Sequence, residues 1–261
     1  ALFKPITKYQ KSIRRIEEIP DAVHKIFREV SSGRPQPVVL EIFSDAFYDN
    51  IEEDQISILP SNQYRAIEKP AVDSSLINES LELLISAKKP LIVSGGGVLR
   101  AEAWNELKEL AEYLQIPVVT SHGGIGSISN KSKCSLGVLS LTSVQATTGA
   151  DAVLALGVKF SYTLALGKPP AWKDSQKLIH VDIDPSIIGR SKPITLGIVA
   201  DCKQYLIQLL AELKKSNRVE KRDWLETLTA IKKRDQTASI KKANNDEIPI
   251  NPVRLIKEIY E

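Results

Sequence analysis

Short apolar runs, each closing on glycine or a polar turn, alternate with stretches whose apolar positions recur at helical spacing. Leu91-Ile-Val93 ends in Ser94-Gly-Gly-Gly97, and Pro117-Val-Val-Thr120 leads into a glycine-rich loop reaching Gly126. Asp151-Ala-Val-Leu-Ala-Leu-Gly157, Lys177-Leu-Ile-His-Val-Asp-Ile-Asp184 and Gly197-Ile-Val-Ala-Asp201 repeat the pattern. A strand apolar along its whole length needs cover on both faces of its sheet. Amphipathic helices supply it: Ile77, Leu81, Leu84 and Ile85 after Asp73-Ser74; Trp104, Leu107, Leu110, Ala111 and Leu114; and Leu206, Ile207, Leu209, Leu210 and Leu213. Strand and helix in alternation give right-handed parallel crossovers. The expected fold class is α/β, a doubly wound parallel sheet, Rossmann-like and of nucleotide-binding type, over residues 73–215, with partial flanking segments.

The flanks read differently. Asp21 is expected to cap a helix with Val23, Ile26, Phe27 and Val30 on one side, stopped by Gly33 and Pro35. Pro37-Val-Val-Leu-Glu-Ile42 suits a buried strand. Residues 48–72 are polar, acidic and broken by Pro60 and Pro70, as a linker draped over a surface would be. Beyond residue 215, a helix over Lys221–Arg234 would turn Trp224, Leu228 and Ile231 inward, and Pro252 would start another through Leu255, Ile256 and Ile259. There is no internal repeat and no low-complexity tract.

With 43% hydrophobic and 26% charged residues, the 261-residue chain is a globular protein long enough for a sizeable core. Two cysteines make no disulfide framework and, with no apolar run of membrane length and no signal-like segment, point to the cytoplasm. A chain of this size with no methionine and Ala1 at its head reads as an excised piece. The net charge of +3 is uneven: Lys214 to Lys242 holds ten Lys/Arg against Glu220, Asp223, Glu226 and Asp235. Helical spacing and a lone aromatic make that stretch a solvated helix face rather than a nucleic-acid surface.

In an open parallel sheet, ligands bind beyond the carboxyl ends of the strands. Those ends would carry Gly95-Gly-Gly97, Thr120-Ser-His-Gly-Gly124, Gly157-Val-Lys159, Asp182-Ile-Asp184 and Asp201-Cys202. Glycine there either lets a phosphate approach backbone amides or simply makes a tight strand-to-helix turn; both readings stand. The pattern is neither G-x-G-x-x-G nor a Walker loop. Asp182 and Asp184 share one side of a strand and suit ribose contact or turn capping, with no metal expected. Asp201 with Gln204 forms a capping box. Lys159 is a candidate phosphate partner, His180 a core histidine, His122 a possible ligand contact and Cys202 a buried thiol. No Ser–His–Asp arrangement is recognisable, and no catalytic residue is assigned.

Pro90-Leu-Ile-Val-Ser-Gly-Gly-Gly97, Ile116-Pro-Val-Val-Thr120, Ala150-Asp-Ala-Val-Leu-Ala-Leu-Gly157, His180-Val-Asp-Ile-Asp-Pro185 with Gly189, and Val199-Ala-Asp201 come in an order that is specific. Residues 90–213 resemble the central domain of thiamine-diphosphate-dependent enzymes, the family of acetolactate synthase, pyruvate oxidase, oxalyl-CoA decarboxylase and 2-hydroxyacyl-CoA lyase. Phe3-Lys-Pro-Ile-Thr-Lys8 and Ser32-Gly-Arg-Pro-Gln-Pro-Val-Val-Leu40 resemble the end of that family's pyrimidine-binding domain. Asn251-Pro-Val-Arg254 resembles the entry to its diphosphate-binding domain. The implied division is 1–47 as the tail of the first domain, 48–72 linker, 73–215 central domain, and 216–261 linker helix and start of the last.

The resemblance implies a parent enzyme, a transferase or carbon–carbon lyase acting on 2-keto acids or acyl-CoA compounds, as a homodimer or homotetramer. Its thiamine diphosphate and Mg2+ sites would lie outside this chain, leaving the piece itself inactive. It further implies FAD, ADP or CoA in the central cleft, on Gly95, Gly96, Gly97, Thr120, Gly137, Gly157, Lys159, Asp182, Ile183, Ile188, Asp201 and Cys202. Where flavin-binding members have Gly-Ala-Arg-Phe-Asp-Asp, this chain has Gly157-Val-Lys-Phe-Ser-Tyr162. Where they end in Met-His-Gly, it has Leu141-Thr-Ser143. Phe160-Ser-Tyr162 through Gly167-Lys-Pro-Pro170 and Trp172 is closer to the acyl-CoA-acting branch. The partners implied are a small-molecule substrate and a nucleotide cofactor, with no nucleic acid and no membrane. A stand-alone nucleotide- or CoA-binding module and an NAD-dependent deacylase are the alternatives.

Overall fold

The computed structural model describes residues 2–139, 143–215 and 223–260. Leu141 and Thr142 of the flavin comparison, and Arg218, Glu220, Lys221 and Arg222 of the basic stretch, lie outside the described residues. The chain forms two compact units, Ala1–Lys69 and Pro70–Glu261.

In the first unit, β1 (Tyr9–Ile13) and β2 (Val38–Ile42) pair in parallel, joined through α1 (Ile19–Ser31). Pro20 falls in the first turn of α1, where its fixed φ and missing N–H cost nothing, so the helix starts ahead of the expected cap. Asp21 therefore sits inside the first turn, and Glu18 is the N-cap, without a side-chain bond. The expected apolar face is also shifted. Ala22 and His24 are buried, whereas Phe27 is 49% exposed. β2 is only half buried rather than enclosed, as one of two strands must be. The short helices α2 (Ser44–Tyr48) and α3 (Ser61–Tyr64) follow. His24 ties this stretch down: its Nε2 accepts the Leu59 amide at 3.2 Å, and Tyr64 stacks on its ring at 4.7 Å.

The second unit is built on six parallel strands: β3 (Pro90–Ser94), β4 (Val118–Thr120), β5 (Ser135–Val138), β6 (Ala152–Leu156), β7 (Lys177–Asp182) and β8 (Leu196–Val199). Their order is β5-β4-β3-β6-β7-β8. The chain reverses direction across the sheet between β3 and β6, which is where a doubly wound sheet opens its cleft. Every residue of β3 and β6 is buried.

One face is covered by α4 (Ser74–Ser86), α6 (Trp104–Leu114) and α8 (Cys202–Lys215), whose leucines form a single core with Ile92, Leu154 and Ile179. The short α5 (Gly96–Arg100) opens directly from β3. The other face is filled by Leu91, Val153, Leu178, Trp172 and α7 (Val144–Gly149), with Leu228 from α9 (Asp223–Ala243). The final helix, α10 (Pro252–Tyr260), buries none of its residues.

The helix starts obey their local chemistry. Asp73 Oδ1 accepts the Ser75 amide at 2.8 Å, and Asp201 Oδ1 accepts those of Lys203 and Gln204 at 2.9 and 3.3 Å. Gln208 pairs both backbone groups of Val72, at 2.8 and 2.9 Å, fastening the approach to α4 against α8. Asp151 accepts the Lys88 and Lys89 amides at 2.8 and 2.9 Å and so sets the start of β3 beside β6.

A Cβ on Gly97 would lie 2.5 Å from the Gly157 Cα, backbone against backbone, whereas one on Gly123 would meet nothing nearer than 3.8 Å. Gly97→Ala should destabilise the second unit by about 3 kcal/mol and Gly123→Ala by less than about 1 kcal/mol. Urea unfolding followed by tryptophan fluorescence checks this, because all three tryptophans (Trp104, Trp172, Trp224) lie in that unit. Equal midpoints for the two variants would refute the backbone-contact account.

Candidate functional site

Because all six strands run the same way, their carboxyl ends make one rim. It carries Gly95–Gly97 after β3, Thr120 at the end of β4, Gly137 in β5, Gly157–Lys159 after β6, Asp182 and Ile183 at the end of β7, and Asp201–Cys202 after β8. Ile188 stands apart, packed over Gly197 on β8.

The glycines at the centre hold chain against chain. The Gly95 amide donates to the Leu156 carbonyl at 2.9 Å and the Gly97 amide to the Gly157 carbonyl at 3.0 Å. A Cβ on Gly95 would sit 2.2 Å from the Gly157 oxygen, and one on Gly124 would sit 2.3 Å from the Ser94 oxygen. Gly157 itself adopts φ 53°, in the left-handed region that glycine tolerates. Of the two readings that the sequence leaves open, the tight turn explains these residues, and two of the triple-glycine amides are already engaged. Gly96 is flanked by Gly123, whose carbonyl oxygen lies 3.0 Å from where a Gly96 Cβ would stand.

The carboxylates are similarly committed. Asp182, 9% exposed, accepts the Asp184 amide at 2.9 Å, while Asp184 accepts the Ser186 amide and hydroxyl at 2.9 and 2.7 Å. The pair caps successive turns. Among the described residues no group of three or more His, Cys, Asp or Glu could hold a metal ion. Asp201 caps α8. Burial, reinforced by the charges of Asp182 and Asp201, raises the Cys202 thiol above its ordinary value; it packs beneath Gly157.

Several rim groups remain open. Gly137 adopts φ 83° with nothing within 4 Å of a Cβ position, and the Thr120 hydroxyl reaches its carbonyl at 3.4 Å. Lys159 and His122 are exposed. Buried polar groups that sequence reasoning missed are a serine pair and a lysine. Ser94 and Ser127 share a buried hydroxyl bond of 2.7 Å under the first turn. Lys192, 2% exposed, donates to the Lys173 carbonyl at 2.7 Å, and its stem packs on Gly167. A lysine between Ser191 and Pro193 carries no apolar pattern that would announce its burial.

His180 links two rim turns. Its Nε2 lies 2.9 Å from the Val158 carbonyl, which only accepts, so Nε2 carries the proton and Nδ1 takes the Gly189 amide at 3.5 Å. Phe160 meets the ring edge-on at 5.6 Å and meets Trp172 at 5.3 Å. Trp172 in turn donates to the Leu164 carbonyl at 2.8 Å, which fixes the loop Tyr162–Gly167. Two sizeable cavities lie elsewhere: one of about 560 Å³ between β5, α7 and α9, and one of about 1040 Å³ between α6, the loop Ser129–Cys134 and α9. Neither is lined by any of the twelve rim candidates.

Fold and rim together define a doubly wound, Rossmann-like α/β domain. Residues 77–209 match the family described as "Thiamine pyrophosphate enzyme, central domain", and the chain belongs to that family. It is 32% identical to a probable acetolactate synthase large subunit of Methanocaldococcus jannaschii, over 100% of this chain and 44% of the relative. It is 30% identical to a glyoxylate carboligase of Escherichia coli O157:H7, over 99% of this chain and 44% of the relative. With an acetolactate synthase of Arthrospira platensis, the identity is 34% over 79% of this chain and 37% of the relative. The chain thus spans less than half the length of these relatives. Among the described residues, no helix is long and apolar enough to cross a membrane.

Burial holds His180 below the ordinary imidazole value, against the opposing pull of the Val158 bond and the Asp182 charge. The sign follows. Below about pH 6.5 the unfolded chain takes up a proton that the folded ring refuses, so stability is full above that pH and falls as pH drops toward the folded value. Each pH unit in this window should cost at most about 1.4 kcal/mol. His180→Gln should flatten the stability difference between pH 7 and pH 5; an unchanged slope would remove the buried neutral ring from the account.

Proposed function

We propose that this chain is the central part, with adjoining pieces of its neighbours, of a thiamine-diphosphate-dependent carboligase resembling acetolactate synthase. The family match over residues 77–209 carries the reading, and alignments that run the full chain into acetolactate synthases and a glyoxylate carboligase support it. On this reading residues 1–47 end the pyrimidine-binding domain, 48–72 form a linker, 73–215 are the central domain, and 216–261 lead into the diphosphate-binding domain.

Thiamine diphosphate supplies the carbanion chemistry in such enzymes. The described residues offer no metal-ligand set for the accompanying Mg2+, and no step through the cofactor is assigned to them. The parent would join 2-keto acids, work as a homodimer or homotetramer and reside in the cytoplasm. Turnover of pyruvate or glyoxylate by the full-length protein tests this. No carbon–carbon bond formation from either would sink the carboligase reading.

The contribution of this chain is a rim for a ligand containing adenosine diphosphate, whether FAD, ADP or CoA. The Gly96 amide, the open surface at Gly137 and the exposed Lys159 ammonium are the groups free to meet its phosphates; Thr120 and Ile183 would border it. Gly95, Gly97, Gly157, Asp201 and Cys202 would shape the rim from behind, and Asp182 and Ile188 would steady its far end. A ligand that binds only the folded state raises the melting midpoint by mass action. At least one of FAD, ADP and CoA should do so, and Lys159→Ala should weaken binding roughly tenfold without moving the midpoint of the free protein. Silence from all three would remove the nucleotide reading while leaving the family assignment intact.

A further inference from the structure

The cavity of about 560 Å³ on the side of the sheet has a construction that the rim does not explain. α9 is pinned to the sheet along its first half only: Trp224 covers Gly149, Leu228 is 4% exposed, and Ile231 packs against the core. Past Asp235 the helix is exposed, Ile240 at 61%. The wedge left between α9, the edge strand β5 and α7 is floored by Leu136, Val138, Ala146, Leu228 and Ile231.

One cation reaches into it. Lys232 is half buried, its Nζ donates to the Ser135 carbonyl at 2.7 Å, and burial holds it below the ordinary lysine value. An ammonium has three N–H donors, and this acceptor occupies one. Asp235, the only acid on the lining among the described residues, has Arg234 Nε at 3.7 Å. An apolar floor with a few placed polar groups, here the Lys232 ammonium and an Asp235 that already has a cation beside it, is the usual make-up of a small-molecule site, and the volume lies in the range that encloses a drug-sized ligand. A two- or three-carbon acid would leave most of it empty.

We propose that this wedge binds a medium-chain fatty acid, its hydrocarbon tail on the floor of Leu136, Ala146, Leu228 and Ile231 and its carboxylate on the Lys232 ammonium. The Ser135 carbonyl holds that ammonium in place, so little side-chain freedom is lost on binding. The site is separate from the rim, and its occupancy does not depend on the nucleotide reading.

Titration of the isotope-labelled chain with octanoate, followed by backbone amide NMR, tests the proposal. Saturable shifts should centre on Ala146, Leu228 and Ile231 and leave Gly96 and Lys159 unmoved. Lys232→Met should weaken octanoate about tenfold while leaving 1-octanol unchanged. Ser239→Trp, at an exposed lining position, should block both. Octylammonium binding as tightly as octanoate, shifts confined to the rim, or octanoate affinity indifferent to Lys232→Met would each overturn it.

Discussion

The second unit depends on two backbone turns that meet without side chains between them. Gly95 and Gly97 after β3 lie against Gly157 after β6, close enough that any Cβ would enter the opposing backbone. Two amide-to-carbonyl bonds hold the contact. It falls where the winding of the six-stranded sheet reverses, between β3, that sheet's first strand in sequence, and β6. Here both turns must occupy the same few ångströms. Three glycines solve that crowding, and a fourth, Gly124, brings the turn after β4 under Ser94.

From this centre the rim is built outward by polar groups that satisfy one another. Asp182 and Asp184 cap successive turns, Asp201 caps α8, and His180 spans from Val158 to Gly189. Each is buried or half buried, where an unpaired polar group would cost roughly 1–3 kcal/mol. Keeping His180 neutral is part of this economy, since a charged ring would lose the Gly189 amide as a donor. The apolar brace of Phe160 and Trp172 then carries the same order into the loop Tyr162–Gly167. Ala165 and Leu166 there sit at φ 50° and 53°, a conformation that L-residues hold only under constraint.

How much of this could be read from the residues alone varied with burial. β3 and β6 declare themselves because a strand covered on both faces is apolar along nearly its whole length, and β7 through its Leu178, Ile179 and Val181. β5 stayed hidden: Ser135-Leu-Gly-Val138 is short, edge-placed and contains a glycine in a left-handed conformation. α7 was missed for a related reason, since Val144–Gly149 is a single polar turn and a half with no periodicity to detect. Asp21 misled because a proline one position earlier already begins α1. In the rim, residue identities were legible but their duties were not. Glycine looks the same whether it admits a phosphate or another strand, and a capping aspartate looks the same as a ligand.

The basic stretch beyond residue 215 shows how one segment can serve two environments. Its described part is α9, whose first half is a working piece of the sheet's cover and whose second half is solvated. Lys232 marks the division. It is the last side chain of the helix to bond the sheet, and the carbonyl that it takes belongs to the edge strand, where backbone groups would otherwise lack a partner. A lysine on an edge also opposes pairing with another chain, so the same residue satisfies a buried carbonyl and guards an exposed edge. Reading the run only as surface charge misses that distinction, because it depends on which strand lies beside the helix rather than on the order of residues within it.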